Sequence, residues 1–313
     1  MMKIAVFMGG SSPEREVSLN SGREVAKALG DYGHTVTPYD VEWAGKDTLF
    51  PAIDACSLDG TDVVFLALHG GLGENGGVQG VLDAAGLPYT GSGIKASAIA
   101  MDKDISKTLF EANNIPTAHW ISGTQETIDN SRLGRETDYP CIVKPVDQGS
   151  TIGLSLVIQS SDLPAAIEKA AVFSPKIMIE SYISGSELTV PILGGQALPA
   201  IEIRPTHEIY DYECKYTPGM TEYLVPAPIS DDLRFEIAKI ALQVFTILGL
   251  QDIARIDFRL DADGKPLCFE ANTLPGMTAT SLVPKSARAA GIDFPELVSQ
   301  IAEMAYRRWH RKR

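Results

Sequence analysis

The segment from Ile253 to Asn272 constrains the fold more than any other, because it predicts a β-hairpin with charged groups on one face. Apolar and polar residues alternate along its first half, so Arg255 and Asp257 share one face of a strand. The run Asp261-Ala-Asp-Gly264 has the composition of a tight turn. A return strand after this turn places Glu270 roughly opposite Asp257. The sequence therefore predicts two facing carboxylates beside an arginine.

This hairpin is a candidate metal and phosphate site. Asp257, Glu270 and Asn272 offer hard oxygen donors, which suit Mg²⁺ that bridges nucleotide phosphates. Arg255 can take the negative charge that phosphoryl transfer spreads over oxygens. The alternative is a surface hairpin with solvated charges. The turn-rich, weakly charged loop over residues 272–278 favours the binding site, because substrate loops have this composition.

Composition and charge exclude several classes of protein. The chain has 313 residues and a formal net charge of −13, which argues against a nucleic-acid or anionic-membrane surface as the main partner. Its 4 cysteines are scattered without a CxxC pair and are expected to be reduced. We find no signal peptide and no apolar run of the ~18 residues that span a bilayer, so we expect a cytoplasmic protein. The basic run over residues 307–313 is interpreted as a frayed helix end.

The first third of the chain alternates strands with helices, which predicts an α/β domain built on a parallel sheet. Strands are expected near residues 4–8, 35–39 and 62–68, and a single helix over residues 95–113. Residues 203–228 show no regular pattern, and a loop of that length in a compact protein is usually functional.

The glycines after the third strand, Gly71-x-Gly73-x-x-Gly76, match a dinucleotide-binding fingerprint poorly. They do not follow the first strand, and no acidic residue lies ~20 positions later to hold a ribose. We favour a loop that brings backbone amides and His69 to a small substrate.

Lys144 ends a buried strand and precedes a glycine-containing loop over residues 148–153, an arrangement suited to clamping phosphate. The alternative is a lysine that snorkels beside an ordinary hairpin turn. Glu180 and Glu187 bracket a segment that could contact adenine and ribose, although a glutamate considered alone more often faces solvent.

These motifs together resemble the D-alanine–D-alanine ligase family of ATP-grasp enzymes over essentially the whole chain. Residues 9–22 resemble its N-terminal signature, and Ala67-Leu-His-Gly70 resembles its histidine-glycine loop, although the following Gly71-Leu-Gly-Glu-Asn75 departs from the commoner Gly-x-Gly-Glu-Asp. Met101-Asp-Lys103 and Gly149-Ser150 match a phosphate lysine and the small flexible loop.

The resemblance implies a Rossmann-like substrate domain (residues 1–98) followed by an ATP-grasp fold of two subdomains (residues 99–185 and 186–313). It implies ATP, two Mg²⁺ or Mn²⁺ ions and D-alanine as ligands, and a homodimer without a nucleic-acid or membrane partner. The roles that it implies are ATP binding by Lys103, Lys144, Glu180, Ile183, Glu187 and Lys215; metal binding by Asp257, Glu270 and Asn272; substrate binding by Glu14, His69, Arg255, Gly276, Ser281 and Leu282; and catalysis by Glu14, Ser150, Tyr216, Arg255 and Gly276.

Two other readings stay open at this stage. One is a related ATP-grasp ligase that joins D-alanine to D-lactate or D-serine, or couples other amino acids, with Tyr216 as the discriminating residue. The other is a non-catalytic nucleotide sensor, against which the full set of lysines and metal ligands argues.

Overall fold

The computed structural model describes residues 1–128, 139–207, 209–210, 212–217 and 219–311. These residues form a 3-stranded, a 4-stranded and a 6-stranded sheet, with helices packed against them. No helix in these ranges is both long and apolar enough to cross a membrane.

The first sheet is parallel, as predicted, with strand order β2-β1-β3. Strand β1 is buried from Ile4 onward, as expected when helices cover both faces of a parallel sheet. The elements of this part are β1 (Lys3–Gly9), α1 (Arg15–Tyr32), β2 (Thr35–Val41), α2 (Leu49–Asp54), β3 (Val63–Leu66), α3 (Gly71–Glu74) and α4 (Gly77–Ala84).

The single helix expected over residues 95–113 is wrong. Two helices, α5 (Ile94–Met101) and α6 (Lys103–Ala112), are separated at Asp102, whose backbone is extended. The Asp102 side chain accepts hydrogen bonds from the backbone amides of Asp104 and Ile105, so it caps α6. The new helix therefore begins at Lys103.

The second sheet is antiparallel, with strand order β4-β7-β5-β6. Strand β5 (Cys141–Pro145) is fully buried, and its pairing with β6 (Ser155–Val157) forms the predicted hairpin around the glycine-containing loop. Its other elements are β4 (Trp120–Gly123), α7 (Leu163–Ala171) and β7 (Ile177–Ser181).

The third sheet has the order β11-β10-β8-β12-β13, with β9 paired to β8. Its elements are β8 (Glu187–Leu193), β9 (Gln196–Ala197), β10 (Ile201–Pro205), α8 (Tyr212–Tyr216), β11 (Thr221–Leu224), α9 (Asp231–Ile247), β12 (Ile253–Leu260), β13 (Pro266–Asn272), α10 (Leu282–Ala289) and α11 (Phe294–Arg311).

The expectation that residues 203–228 lack regular structure is wrong in part. Strands β10 and β11 pair antiparallel, with Ile203 opposite Tyr223, and α8 lies in the connection between them. Isolated from its partner strand, a four-residue strand such as β11 carries too little alternation to be recognised.

Helix α11 returns to the N-terminal sheet, where its buried Leu297 and Ile301 share a core with Ile4 of β1. Near its end, Arg308 forms an ion pair with the buried Asp252 at 2.7 Å. The frayed end expected from residue 307 onward is therefore wrong at Arg308, because a buried carboxylate holds its guanidinium. Residues 312–313 of that run lie outside the described residues.

Candidate active site

A cavity of about 430 Å³ lies where the three sheets meet. It brings together predicted site residues from all parts of the chain. Those lining it are Glu14, His69, Lys103, Lys144, Ser150, Glu180, Ile183, Glu187, Lys215, Arg255, Asp257, Glu270, Asn272, Gly276, Ser281 and Leu282. Tyr216 is the last residue of α8, but its side chain lies outside what the structure describes.

The β12–β13 hairpin has the predicted register. Asp257 is paired with Glu270 and Arg255 with Asn272, and the register shifts between Asp257 and Phe258. On its other side β12 pairs with β8, which places Thr189 beside Asp257. The hairpin is thus fixed between neighbours, so its charged groups sit on rigid backbone.

Asp257 is saturated with hydrogen bonds. Its carboxylate accepts from Arg255 Nε at 2.9 Å and from Arg255 Nη2 at 2.8 Å. It also accepts from Thr189 Oγ1 at 2.6 Å and from Asn272 Nδ2 at 2.8 Å. Burial alone would lower the pKa of Arg255, but Asp257 outweighs it and raises that pKa above its usual value. Arg255 is therefore charged.

Glu270 pairs with Lys103 across 3.0 Å at the cavity wall. Burial would raise the pKa of Glu270, but the ammonium groups of Lys103, Lys144 and Lys215 outweigh it and lower the pKa to about 2. Glu270 is therefore ionised throughout the physiological range, as a metal ligand must be.

These donors fit hard divalent cations. The described residues contain no cluster of three or more histidine, cysteine, aspartate or glutamate side chains suited to a metal. The hairpin instead offers the carboxylates of Asp257 and Glu270 and the amide oxygen of Asn272, a donor set of oxygens alone. Side-chain cations now neutralise both carboxylates, which shows that this wall of the cavity attracts positive charge.

A second carboxylate, Glu180, lies deeper and holds two lysines. Lys144 Nζ lies 2.5 Å from Glu180 Oε1, and Lys107 Nζ lies 2.9 Å from Oε2. All three residues are buried. Burial would raise the pKa of Glu180, but the two ammonium groups outweigh it and lower the pKa to about 2.

Arg259 organises the part of the cavity that contains Ile183 and Glu187. Its guanidinium donates to the Ile183 carbonyl at 2.8 Å and to Glu187 Oε2 at 3.0 Å. Burial raises the pKa of Glu187, and Arg259 opposes that change. The arginine ties Ile183 and Glu187, both expected to bind ATP, into one unit.

At the opposite end, Ser150 Oγ donates a hydrogen bond to Glu14 Oε1. Ser150 and Thr151 have left-handed backbone conformations, with φ of 49° and 64°, which non-glycine residues rarely adopt. Gly70 lies so close that an added Cβ would meet Glu14 Oε2 at 2.7 Å. The loops around Glu14 are therefore held in one specific shape.

His69 is anchored on both ring nitrogens. Nδ1 lies 3.0 Å from the Leu274 carbonyl, which can only accept, and Nε2 lies 3.2 Å from Ser21 Oγ. Burial lowers the pKa of His69, so the ring is neutral and Nε2 accepts from the serine. The Leu274 amide donates to Glu74 Oε1 at 3.4 Å, so the histidine-glycine loop holds both sides of Leu274 in the loop after β13.

That loop ends at the start of α10. The Thr278 amide donates to Ser281 Oγ at 3.1 Å, and the Ser281 amide donates to the Thr278 carbonyl at 2.9 Å. An added Cβ at Gly276 would meet Ser281 Oγ at 3.1 Å. The first backbone amides of α10, including that of Leu282, have no partner within the helix and suit a carboxylate.

Ile209, Tyr210 and Lys215, from the connection between β10 and β11, line the cavity. Thr151 Oγ1 donates to the Tyr210 carbonyl at 3.2 Å, and the Tyr210 and Tyr223 hydroxyls lie 2.8 Å apart. Lys215 Nζ lies 5.1 Å from the centre of the Tyr210 ring. Burial lowers the pKa of Lys215, and Glu270 opposes that change.

The sequence prediction missed several contributors: Glu74, Lys107, Thr189, Tyr210 and Arg259. One signal could have found Lys107, because it follows Lys103 by four residues and so lies on the same face of a helix. Arg259 likewise follows Arg255 and Asp257 on the alternating face of β12.

Comparison with known proteins agrees with this arrangement. A family model described as D-ala D-ala ligase C-terminus matches residues 109–303, and one described as D-ala D-ala ligase N-terminus matches residues 46–92. A D-alanine–D-alanine ligase from Gloeobacter violaceus is 45% identical over 305 residues, covering 96% of this chain and 99% of the relative. One from Syntrophotalea carbinolica is 44% identical over 299 residues, with coverages of 96% and 94%.

The chain belongs to the D-alanine–D-alanine ligase family. A solved D-alanine–D-alanine ligase from Bacillus anthracis superimposes with a TM-score of 0.86 at 34% identity, covering 100% of both chains. The same enzyme complexed with ATP gives a TM-score of 0.84 at 33% identity, again covering 100% of both. The expected fold, a parallel-sheet domain followed by an ATP-grasp fold, is therefore confirmed.

Proposed function

We propose that this chain joins two D-alanines in an ATP-dependent reaction, through a D-alanyl phosphate intermediate, to supply D-alanyl-D-alanine for peptidoglycan. Its membership of the D-alanine–D-alanine ligase family supports the reaction. One observation supports the assignment of this reaction to the cavity. Three lysines, an arginine and an oxygen-donor set face the same 430 Å³ cavity. A free carboxylate does not react with an amine at neutral pH, so activation by phosphoryl transfer is the chemistry that such a site supplies.

In the first step, the γ-phosphoryl group of ATP is transferred to the carboxylate of the first D-alanine. Lys103, Lys144 and Lys215 offset the charge of the phosphates, and Glu14 binds the substrate ammonium. Glu180, Ile183 and Glu187 contact the adenine and ribose. The bond between the γ-phosphorus and the bridging oxygen breaks, and its electron pair stays on ADP. The carboxylate becomes an acyl phosphate.

Asp257, Glu270 and Asn272 would hold two Mg²⁺ or Mn²⁺ ions, which neutralise phosphate oxygens during transfer. The oxygen-only donor set and the ionised state of Glu270 support this assignment. Lys103 then exchanges its ion pair with Glu270 for the phosphates.

In the second step, the neutral amine of the second D-alanine attacks the acyl phosphate. Arg255 and the Gly276 amide stabilise the tetrahedral oxyanion, and inorganic phosphate leaves. Ser281 and the Leu282 amide bind the carboxylate of the second D-alanine. His69 orients the loop that carries Gly276 through Leu274, while Ser150 extends the polar network from Glu14. We also assign a catalytic role to Tyr216, as the family resemblance implies.

Acyl phosphates hydrolyse, so water must be excluded while the intermediate exists. Residues 203–228 supply the lid that does this, because Tyr210 accepts a hydrogen bond from Thr151 and Lys215 lines the cavity.

ADP release measured with D-alanine, L-alanine and D-lactate, alongside product analysis, tests the proposal. We expect ADP release only when D-alanine is present, with one D-alanyl-D-alanine formed per ADP. ATP binding without substrate-dependent ADP release would instead indicate a nucleotide sensor, and ester formation with D-lactate would indicate a depsipeptide ligase.

Three further features belong to this proposal. They are a homodimer, a cytoplasmic location where ATP is available, and a division into domains at residues 1–98, 99–185 and 186–313. Each proposed domain contains one of the three sheets, which supports the division. Sedimentation velocity and cell fractionation test the first two, and limited proteolysis tests the third.

A further inference from the structure

Lys107 is the most deeply buried charged side chain near the cavity, yet it does not line the cavity. Its side chain is 1% exposed, and its ammonium lies 2.9 Å from Glu180 and 5.0 Å from the centre of the Trp120 ring. Burying an ammonium is costly even when it is paired, and a methionine of similar size would avoid that cost. The presence of a lysine here therefore calls for a function.

The geometry of Glu180 indicates that function. Lys107 occupies Oε2 and Lys144 occupies Oε1, so one carboxylate is shared between two ammonium groups. The two ammonium groups and the one carboxylate together carry a net charge of +1. Of the two lysines, Lys144 is the one that lines the cavity. Without Lys107, both oxygens of Glu180 would be free to hold Lys144, and the resulting pair would be neutral.

We propose that Lys107 is a positioning residue that restrains Glu180, so that Lys144 keeps its charge and its reach available for the phosphates of ATP. This inference rests on the proposed function, since it assumes that Lys144 binds ATP. Lys107 itself touches neither nucleotide nor D-alanine.

The inference predicts coupling between residues 107 and 180. Lys107→Met lets Glu180 capture Lys144, so the dissociation constant for ATP should rise about tenfold, a size typical of coupled buried charges. In a Glu180→Gln background no carboxylate remains to capture Lys144. There, adding Lys107→Met should change the dissociation constant by less than about twofold. Both proteins in this comparison carry Glu180→Gln and so lack the same adenine contact, whose loss therefore does not change the ratio of their dissociation constants.

The test is calorimetric ATP binding to the full chain, with Lys107→Met, Glu180→Gln and the double variant, followed by steady-state kinetics. The Michaelis constant for ATP should rise more than kcat falls, and that for D-alanine should stay unchanged. Lys169→Met is the matched control, because it removes one exposed lysine from the same sheet region and should bind ATP normally.

Equal losses from Lys107→Met in both backgrounds would overturn the inference and leave Lys107 a structural residue. Unchanged ATP binding by Lys107→Met in the wild-type background would also overturn it. If Lys107→Met alone does not fold, the double variant is compared with Glu180→Gln. A structural role for Lys107 predicts weaker ATP binding by the double variant, whereas the positioning role predicts equal binding. Lys144→Met tests the underlying function separately, since unchanged ATP binding by that variant would contradict the proposed ATP site itself.

Discussion

Two carboxylates of the cavity, Glu270 and Glu180, both have a pKa lowered to about 2, yet their surroundings differ. Glu270 is 24% exposed and holds one lysine, Lys103, at the cavity wall. Glu180 is 8% exposed and holds Lys107 and Lys144 away from solvent. The difference supports the proposal that Glu270 exchanges its lysine for another cation, whereas Glu180 stays paired with the buried Lys107.

The largest expected effect comes from Glu270→Gln, which keeps the shape of the side chain but removes its charge. Turnover should fall by about 10³-fold or more, because metal and charge effects in phosphoryl transfer are typically of that size. Steady-state kinetics at saturating Mg²⁺ measures it, with circular dichroism to show that the variant is folded. Near-normal turnover would show that Glu270 does not act in the site. The contrast between Glu270 and Glu180 would then have no functional basis.

The dependence of the free energy of unfolding on acidic pH tests the role of Glu180. Because its folded pKa is lowered from 4.5 to about 2, its stabilisation is present above pH 4.5 and is lost as the pH falls through 2. The loss amounts to at most about 3 kcal/mol in the free energy of unfolding. Urea denaturation between pH 5 and 3 should show a shallower pH slope for Glu180→Gln than for wild type. Identical slopes would mean that Glu180 titrates normally.

Much of this contrast could be predicted from sequence, but not all of it. Alternation and turn residues predicted the β12–β13 hairpin and the pairing of Asp257 with Glu270, because both are local. The partners of Glu180 could not be predicted, because they come from α6 and β5, which only tertiary packing brings together. The break at Asp102 was missed because apolar spacing continues across it, while a single cap decides the local backbone.

Ligand binding should also affect the surroundings of Glu270 and those of Glu180 differently. Lys215, from α8, lies near Glu270, whereas the lysines around Glu180 come from α6 and β5. With ATP and D-alanine bound, residues 206–220 should become protected from proteolysis or hydrogen exchange by about tenfold, while β5 and β7 change little. Equal protection with and without ligands would count against a closing lid.

The smallest expected effect concerns the choice of nucleophile and Tyr216. D-Alanine arrives as an ammonium and must lose a proton before attack, so a polar network near Glu14 favours the amine over the hydroxyl of D-lactate. Tyr216→Phe should raise the ratio of ester to dipeptide a few-fold, most clearly at lower pH. Product analysis with both nucleophiles present measures this ratio. A ratio unchanged at every pH would show that Tyr216 does not set nucleophile choice.

The most direct measurement is Mn²⁺ binding, followed by electron paramagnetic resonance, with a non-hydrolysable ATP analogue and D-alanine at saturation. If Glu270 exchanges its lysine for a metal ion and Glu180 does not, Glu270→Gln should weaken Mn²⁺ binding by at least about tenfold. Glu180→Gln should leave Mn²⁺ binding within about twofold of wild type. Equal weakening by both substitutions, or none by Glu270→Gln, would contradict the division of roles between the two carboxylates.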